Sequence, residues 1–331
     1  MKKILTKLLS KLYDKARSSS TFKSLYYSVA NSNYFTSFQE HEKMLGDKLR
    51  VNTYYKAIQK NVNEGDVVID LGTGTGILSF MASKKNPKKI FAIEHGKIIE
   101  SAKTAAAHNG IKNIEFVNVN SKNFKADEKA DIIIHEQIGA LLFDENMVEN
   151  LIDLRDRVLK PGGKILPGKF EFFVEPVHIK DEENVPYLWE QNIEGIKFDC
   201  FSDLKKEIKG SYGRLLIRPD AVDYFLSEPE RILYFDIETM SGNDIPKKFE
   251  FNRKVLKSGK LNGLIIFFNI IFDEEIMLTT SPFTSKTHWN IPLLRTETIY
   301  CNKGDVLKIY FEMGDPSDIS TYKWSFKKQS I

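Results

Sequence analysis

Cysteine is scarce. Only Cys200 and Cys301 occur in 331 residues. Two thiols build neither a disulfide scaffold nor a cysteine-rich structural zinc site, and such sparse use suits a reducing compartment, so a cytoplasmic location is expected. No uninterrupted apolar run reaches the roughly 20 residues that span a bilayer. Neither sign of charge dominates: Lys plus Arg number 48 and Asp plus Glu 45, a formal net charge of +3. That balance excludes a dedicated nucleic-acid binder, which would present a strongly basic face. No metal-ligand spacing, internal repeat or low-complexity tract is found. Aromatic residues are plentiful, with 23 Phe, 13 Tyr and 3 Trp, enough apolar area for the cores of two domains.

The charge is unevenly placed. Residues 1–25 hold seven basic side chains (Lys2, Lys3, Lys7, Lys11, Lys15, Arg17, Lys23) and one acid, Asp14. The segment is therefore +6, which leaves −3 for the rest. Ile4, Leu5, Leu8, Leu9, Leu12 and Ala16 fall at helical spacing, so residues 1–20 read as an amphipathic basic helix. Lys7 and Lys11 interrupt any signal-peptide core. Such a helix packs on the body of the protein or offers a face to a membrane surface or partner.

A second helical stretch is predicted from about His41 to Val62. Strand and helix then alternate. Asp66–Leu71, Lys89–Glu94, Ile114–Val119 and Asp131–Ile134 read as strands, with Ile77–Lys85, Ile98–His108 and Met147–Leu159 as helices. This alternation predicts an α/β, doubly wound parallel sheet. After Pro167 the pattern changes to strands: Glu171–Val177, Arg231–Ile237, Gly263–Phe272, Ile276–Thr280, Leu293–Ile299, Val306–Phe311 and Tyr322–Phe326. The expected organisation is a helical segment over 1–45, a Rossmann-like domain over 46–167 and an all-β, barrel-like domain over 168–331. An arm is expected near 186–226.

Two places concentrate chemistry. Asp70-Leu71-Gly72-Thr73-Gly74-Thr75-Gly76 follows the first strand and opens a helix. Glycines let the backbone approach a ligand, and the helix start offers free N–H groups. A dinucleotide fingerprint would need glycine at 77, where Ile77 stands; the spacing suits S-adenosylmethionine (AdoMet) instead. Glu94, ending the next strand, can accept both ribose hydroxyls. Further on, Glu136 and Glu145 bracket an apolar loop at the carboxyl edge of the sheet, where ligands bind in such folds. Paired carboxylates in apolar surroundings call for a cation, and a planar guanidinium suits them best.

Together these residues resemble the protein arginine N-methyltransferase family over roughly 34–331. The resemblance rests on Val68–Ser79, Glu94, the double-Glu loop, Thr287-His288-Trp289, and His41-Glu42-Lys43-Met44-Leu45 followed by Asp47 and Arg50. It implies AdoMet as methyl donor, a protein, peptide or small guanidino compound as acceptor, and a homodimer formed through Trp189–Leu204. It implies that Glu136 and Glu145 hold the guanidinium and that His288 meets Asp47. The cofactor site would be His41, Arg50, Asp70, Gly72, Gly74, Gly76, Glu94 and Ser121, with Arg50 on the AdoMet carboxylate. Met44, Met147 and Trp289 would shape the substrate pocket.

The chain also departs from the family. Gln137-Ile138-Gly139 stands where the family has aromatic-Met-Gly. Ser121-Lys122 replaces a glutamate that accepts from adenine, the arm gains a segment around Lys205 to Leu226, and the aromatic entry motif shrinks to Tyr34–Phe38. These departures keep two alternatives in view: a methyltransferase of a free guanidino metabolite, and a non-catalytic dimeric scaffold of the same fold.

Overall fold

A computed structural model describes residues 38–143, 145–207, 213–242, 244–284 and 287–329. The basic helix expected at 1–20, residues 34–37 of the aromatic motif and Asp144 lie outside them.

The first strand, β1 (Val67–Leu71), is buried at every position, as a continuous apolar run in a parallel sheet must be. It lies at the centre of a five-stranded sheet with β2 (Lys89–Glu94), β3 (Ile114–Asn118), β4 (Ala130–His135) and β5 (Leu159–Leu166), in the order β3-β2-β1-β4-β5. Every pairing is parallel. The chain winds outward from β1 to β3 and returns to β4, so the strand order reverses between β1 and β4. Leu71 pairs with His135 across that point, which brings the glycine loop and Glu136 out side by side.

The single helix expected over 41–62 is two: α1 (Phe38–Gly46) and α2 (Lys48–Asn61). The break falls at Asp47, whose side chain accepts from Arg50 N and caps α2. Residues Ile77–Ser83 form α3, Ile99–His108 α4 and Met147–Val158 α5.

The β half contains β6 (Lys169–Ile179), the two-residue strands β7 (Asn192–Ile193) and β8 (Ile196–Lys197), β9 (Arg214–Ile217), β10 (Val222–Phe225), β11 (Leu233–Asp236), β12 (Lys248–Lys254), β13 (Gly259–Ile271), β14 (Met277–Thr279), β15 (Ile291–Cys301), β16 (Val306–Glu312) and β17 (Lys323–Gln329). The main sheet runs β10-β6-β13-β15-β9, and β12-β16-β17 form a second sheet. The expected arm therefore divides. Its second half contributes β9 and β10 to the sheet, and only the first half carries the β7–β8 hairpin.

β9 and β10 are the opposite edges of that path, yet only residues 218–221 join them. Four strand spacings of about 4.8 Å make about 19 Å, more than five residue steps span even when extended. The sheet must therefore curl. Its inner face buries Phe173, Val177, Ile265, Phe267, Ile291 and Leu293 under Ala221 and Val222. The other face packs Phe170, Phe172, Leu264, Ile266 and Phe268 into the core shared with the parallel sheet. Phe143 seals that junction against Phe172 and Phe235.

Candidate active site

Asp70, one residue before the end of β1, is fully buried, and its Oδ2 accepts from Thr73 Oγ1 (2.7 Å), Ser79 N (3.0 Å) and Ser79 Oγ (2.7 Å). One carboxylate thus ties the glycine loop to the first turn of α3. Burial pushes its pKa up, outweighing these bonds from Ser79 and Thr73. Gly72, Gly74 and Gly76 all have positive φ. At Gly74 the constraint is also spatial: a Cβ there would lie 2.9 Å from His41 Cε1, so α1 rests on the loop through His41. Glu94, at the end of β2, accepts from Gly74 N (3.3 Å) and Gly96 N (2.8 Å). Its carboxylate is held at the rim of the loop.

Glu136 leaves β4 beside this loop. Its Oε2 lies 2.6 Å from Arg50 Nη1, with both side chains largely buried. The resemblance assigned Arg50 to the AdoMet carboxylate; here it engages the acid assigned to the substrate. Burial works to lower the Arg50 pKa, but the Glu136 charge and hydrogen bond, with Tyr54 and Asp47, together outweigh it and the net shift is upward. Arg50 Nη2 donates to Met44 O (2.7 Å), so Met44 enters the site through its carbonyl. Asp47 accepts from Arg50 N (3.0 Å) and, through Oδ2, from His288 N (2.8 Å); His288 Nδ1 lies 2.9 Å away. Burial works to raise the Asp47 pKa, yet the His288 and Arg50 bonds together hold it below the usual carboxylate value. Trp289 Nε1 donates to Ile138 O (2.8 Å), which fastens the double-Glu loop to the β half.

The structure thus joins Glu136, Arg50, Asp47, His288 and Trp289 in one chain of contacts, and Gly74, His41 and Glu94 in another. Glu145 is half-buried in the turn before α5, and Met147 is fully buried at the start of that helix. Ser121 stands apart in a 3₁₀ turn, where its carbonyl accepts from Arg157 Nη2 (2.8 Å). The loop between the glutamates holds Leu142 at φ 69° with Leu141, Leu142 and Phe143 buried. A leucine in that region is costly, and its packing holds it there.

Sequence reasoning placed Tyr54 only in an apolar stripe. Its hydroxyl is buried without a hydrogen-bond partner, as are Arg50 Nε, Asp70 Oδ1, His135 Nδ1 and Gln137 Oε1. The available signal was spacing: Tyr54 follows Arg50 by four residues, on the same face of α2. Burial, with the Glu136 and Asp70 charges, pushes its phenol well above its usual pKa. Unpaired buried polar atoms are rare in folded proteins. Five of those among the described residues lie on α2 and at the carboxyl ends of β1 and β4, with donors on the helix and acceptors at the strand ends. That set fits a ligand bearing both a carboxylate and an ammonium, such as the methionine end of AdoMet. Among the described residues, no group of three His, Cys, Asp or Glu could hold a metal ion.

Comparisons with known proteins agree with this geometry. Residues 62–217 match a family described as a methyltransferase domain, and residues 169–326 one described as the arginine methyltransferase oligomerization subdomain. Protein arginine N-methyltransferase 6 of Danio rerio is 29% identical over 79% of this chain and 78% of its own length. Protein arginine N-methyltransferase 1 of Dictyostelium discoideum is 28% identical over 83% and 82%. The Trypanosoma brucei arginine methyltransferase 1 enzyme–prozyme complex with AdoHcy superposes with a TM-score of 0.75 at 22% identity, over 89% of this chain and 99% of that one. Arabidopsis thaliana arginine methyltransferase 10 gives 0.73 at 22%, over 90% and 98%. With a parallel methyltransferase sheet, the oligomerization subdomain on the curled β half, and relatives of this name matching most of its length, the chain belongs to the protein arginine N-methyltransferase family.

Proposed function

We propose that this chain transfers the methyl group of AdoMet to a guanidino nitrogen of an arginine in a protein or peptide. The observation that carries the reading is the largely buried Glu136 carboxylate beside the glycine loop, already 2.6 Å from a guanidinium nitrogen. Bound AdoMet supplies an electrophilic methyl on a sulfonium. The residues of the chain do the rest. A guanidinium is protonated at any working pH and is a poor nucleophile. Glu136 and Glu145 localise its positive charge on the nitrogens they hold, which leaves electron density on the attacking one. Arg50 pairs with Glu136 and orients it while its free Nε remains for a carboxylate. Asp47, bonded to His288 Nδ1, holds that ring so that Nε2 can accept the departing proton.

The AdoMet contacts assigned to Gly72, Gly74, Gly76, Glu94 and Ser121, and the pocket formed by Met44, Met147 and Trp289, belong to this proposal. So do functional units at 46–167 and 168–331, a cytoplasmic location and a homodimer. The dimer reading is supported by the β7–β8 hairpin, turned at Glu194 and Gly195, both with positive φ. It displays Ile193 and Ile196 at 53% and 64% exposure. Trp189 itself is buried and stacked on Tyr187, so it anchors the arm rather than meeting a partner.

The test is transfer of labelled methyl from AdoMet into a cell lysate, separated into protein and small-molecule fractions. Label on protein arginine is the expected result. Label on a free guanidino compound would move the acceptor to that class. Absence of label in either fraction would leave a scaffold.

A further inference from the structure

We propose that the Gln137 side-chain amide is an acceptor for the ammonium group of AdoMet. The proposal rests on the AdoMet reading of the site. Gln137 follows Glu136 at the end of β4, and its amide lies on the glycine loop: a Cβ at Gly72 would be 3.6 Å from Gln137 Nε2 and 3.7 Å from its Cγ. Its Oε1 is sealed from solvent with no donor in reach. A buried, unpaired amide oxygen is costly, and nothing in the protein offsets it.

The chemistry of the ligand decides what the oxygen receives. Glu94 marks the ribose end on the β2 side of β1, so the methionine end extends to the β4 side. There Arg50 Nε is the unpaired donor suited to a carboxylate. In an amino acid the ammonium sits on the carbon next to the carboxylate. Its acceptor must therefore stand close to the carboxylate's donor. Gln137 directly follows the residue that Arg50 bonds, and its amide lies on Gly72 of the loop. Glu136 Oε2 is taken by Arg50 and Asp70 Oδ2 by the turn of α3; Asp70 Oδ1, also without a partner, is the second acceptor on this side of the loop.

Calorimetric titration with AdoHcy and with 5′-methylthioadenosine, which lacks the amino-acid end, tests this without turnover. Binding of AdoHcy by the wild-type protein tests the underlying AdoMet reading on its own. Gln137→Leu should weaken AdoHcy about ten- to a hundredfold, the range for a hydrogen bond to a charged group, and leave 5′-methylthioadenosine unchanged. Gln137→Glu should hold or strengthen AdoHcy, because a carboxylate accepts from the same ammonium. The ligand-free Gln137→Leu protein should melt at the wild-type temperature or above it. Unchanged AdoHcy affinity in Gln137→Leu, equal loss for both ligands, or weakening by Gln137→Glu would each overturn the assignment. A lowered melting temperature would also overturn it, since the amide would then be bonded within the protein.

Discussion

At Glu136, beside Arg50, the carboxylate is the proposed partner of the substrate guanidinium, and removing its charge leaves that cation uncompensated. Breaking such a pair costs on the order of 3–5 kcal/mol. At about 1.4 kcal/mol per tenfold, Glu136→Gln should lower turnover by roughly 10²–10⁴. If both residues serve one guanidinium, as proposed, Glu145→Gln should act alike and the double variant should lose far less than the product of the two. Initial rates with saturating AdoMet and an arginine peptide measure this; full additivity would separate the two acids. His135 makes a different prediction. It is fully buried, donates from Nε2 to Pro167 O (2.8 Å), and burial depresses its pKa to about 4. Unfolded histidine titrates near 6.5. The stability it contributes is complete above about 6.5 and is lost as pH falls toward about 4, a difference of roughly 3 kcal/mol. Urea denaturation at pH 7 and pH 4.5 should show a smaller loss for His135→Gln than for wild type.

Within elements, the break between α1 and α2 has the most consequence. Asp47 caps α2 and receives His288 from the β half, so one side chain sets both a helix start and a domain contact. Asp47→Asn keeps an acceptor for the cap but sets an amide N–H₂ against His288 N, removing the charge that orients the imidazole. Its melting temperature should fall modestly while turnover falls by about 10²-fold or more. Asp47→Ala should lose about 1 kcal/mol of stability in addition. Calorimetry beside steady-state kinetics separates the two effects. The β half has its own buried pair: Glu175 on β6 and Arg253 on β12, 2.7 Å apart and almost fully buried. Burial pushes the Glu175 pKa up despite Arg253, so the acid depends on its partner. Arg253→Met should cost about 3–5 kcal/mol in chemical denaturation, and adding Glu175→Gln should recover part of that.

For the whole molecule, the exposed Ile193, Ile196 and Phe201 stand out on the arm. If they form the homodimer contact, Ile193→Asp with Ile196→Asp should give a monomer in sedimentation at micromolar concentration, with the fold intact by circular dichroism. A dimer that survived both changes would place the interface elsewhere. Oligomerisation of this kind is consistent with the subdomain matched at 169–326.

The parallel sheet was legible in the sequence because its strands are short apolar runs bounded by glycine and charge, and strand–helix alternation admits few topologies. The positions of the glycine loop, Glu94 and Glu136 were legible because they lie at strand ends, which local pattern marks. Other features were decided by tertiary structure. A continuous apolar stripe concealed the break at Asp47, whose second partner lies 241 residues away at His288. The strands β9, β10 and β12 carry weak local signals, and pairing across the curled sheet stabilises them. Arg50 met Glu136, and Tyr54 and Gln137 became unpaired polar groups, only when α2 closed over the ends of β1 and β4. Local pattern encodes which segments form strands and helices; the partner of a buried charge depends on what the assembled chain leaves beside it.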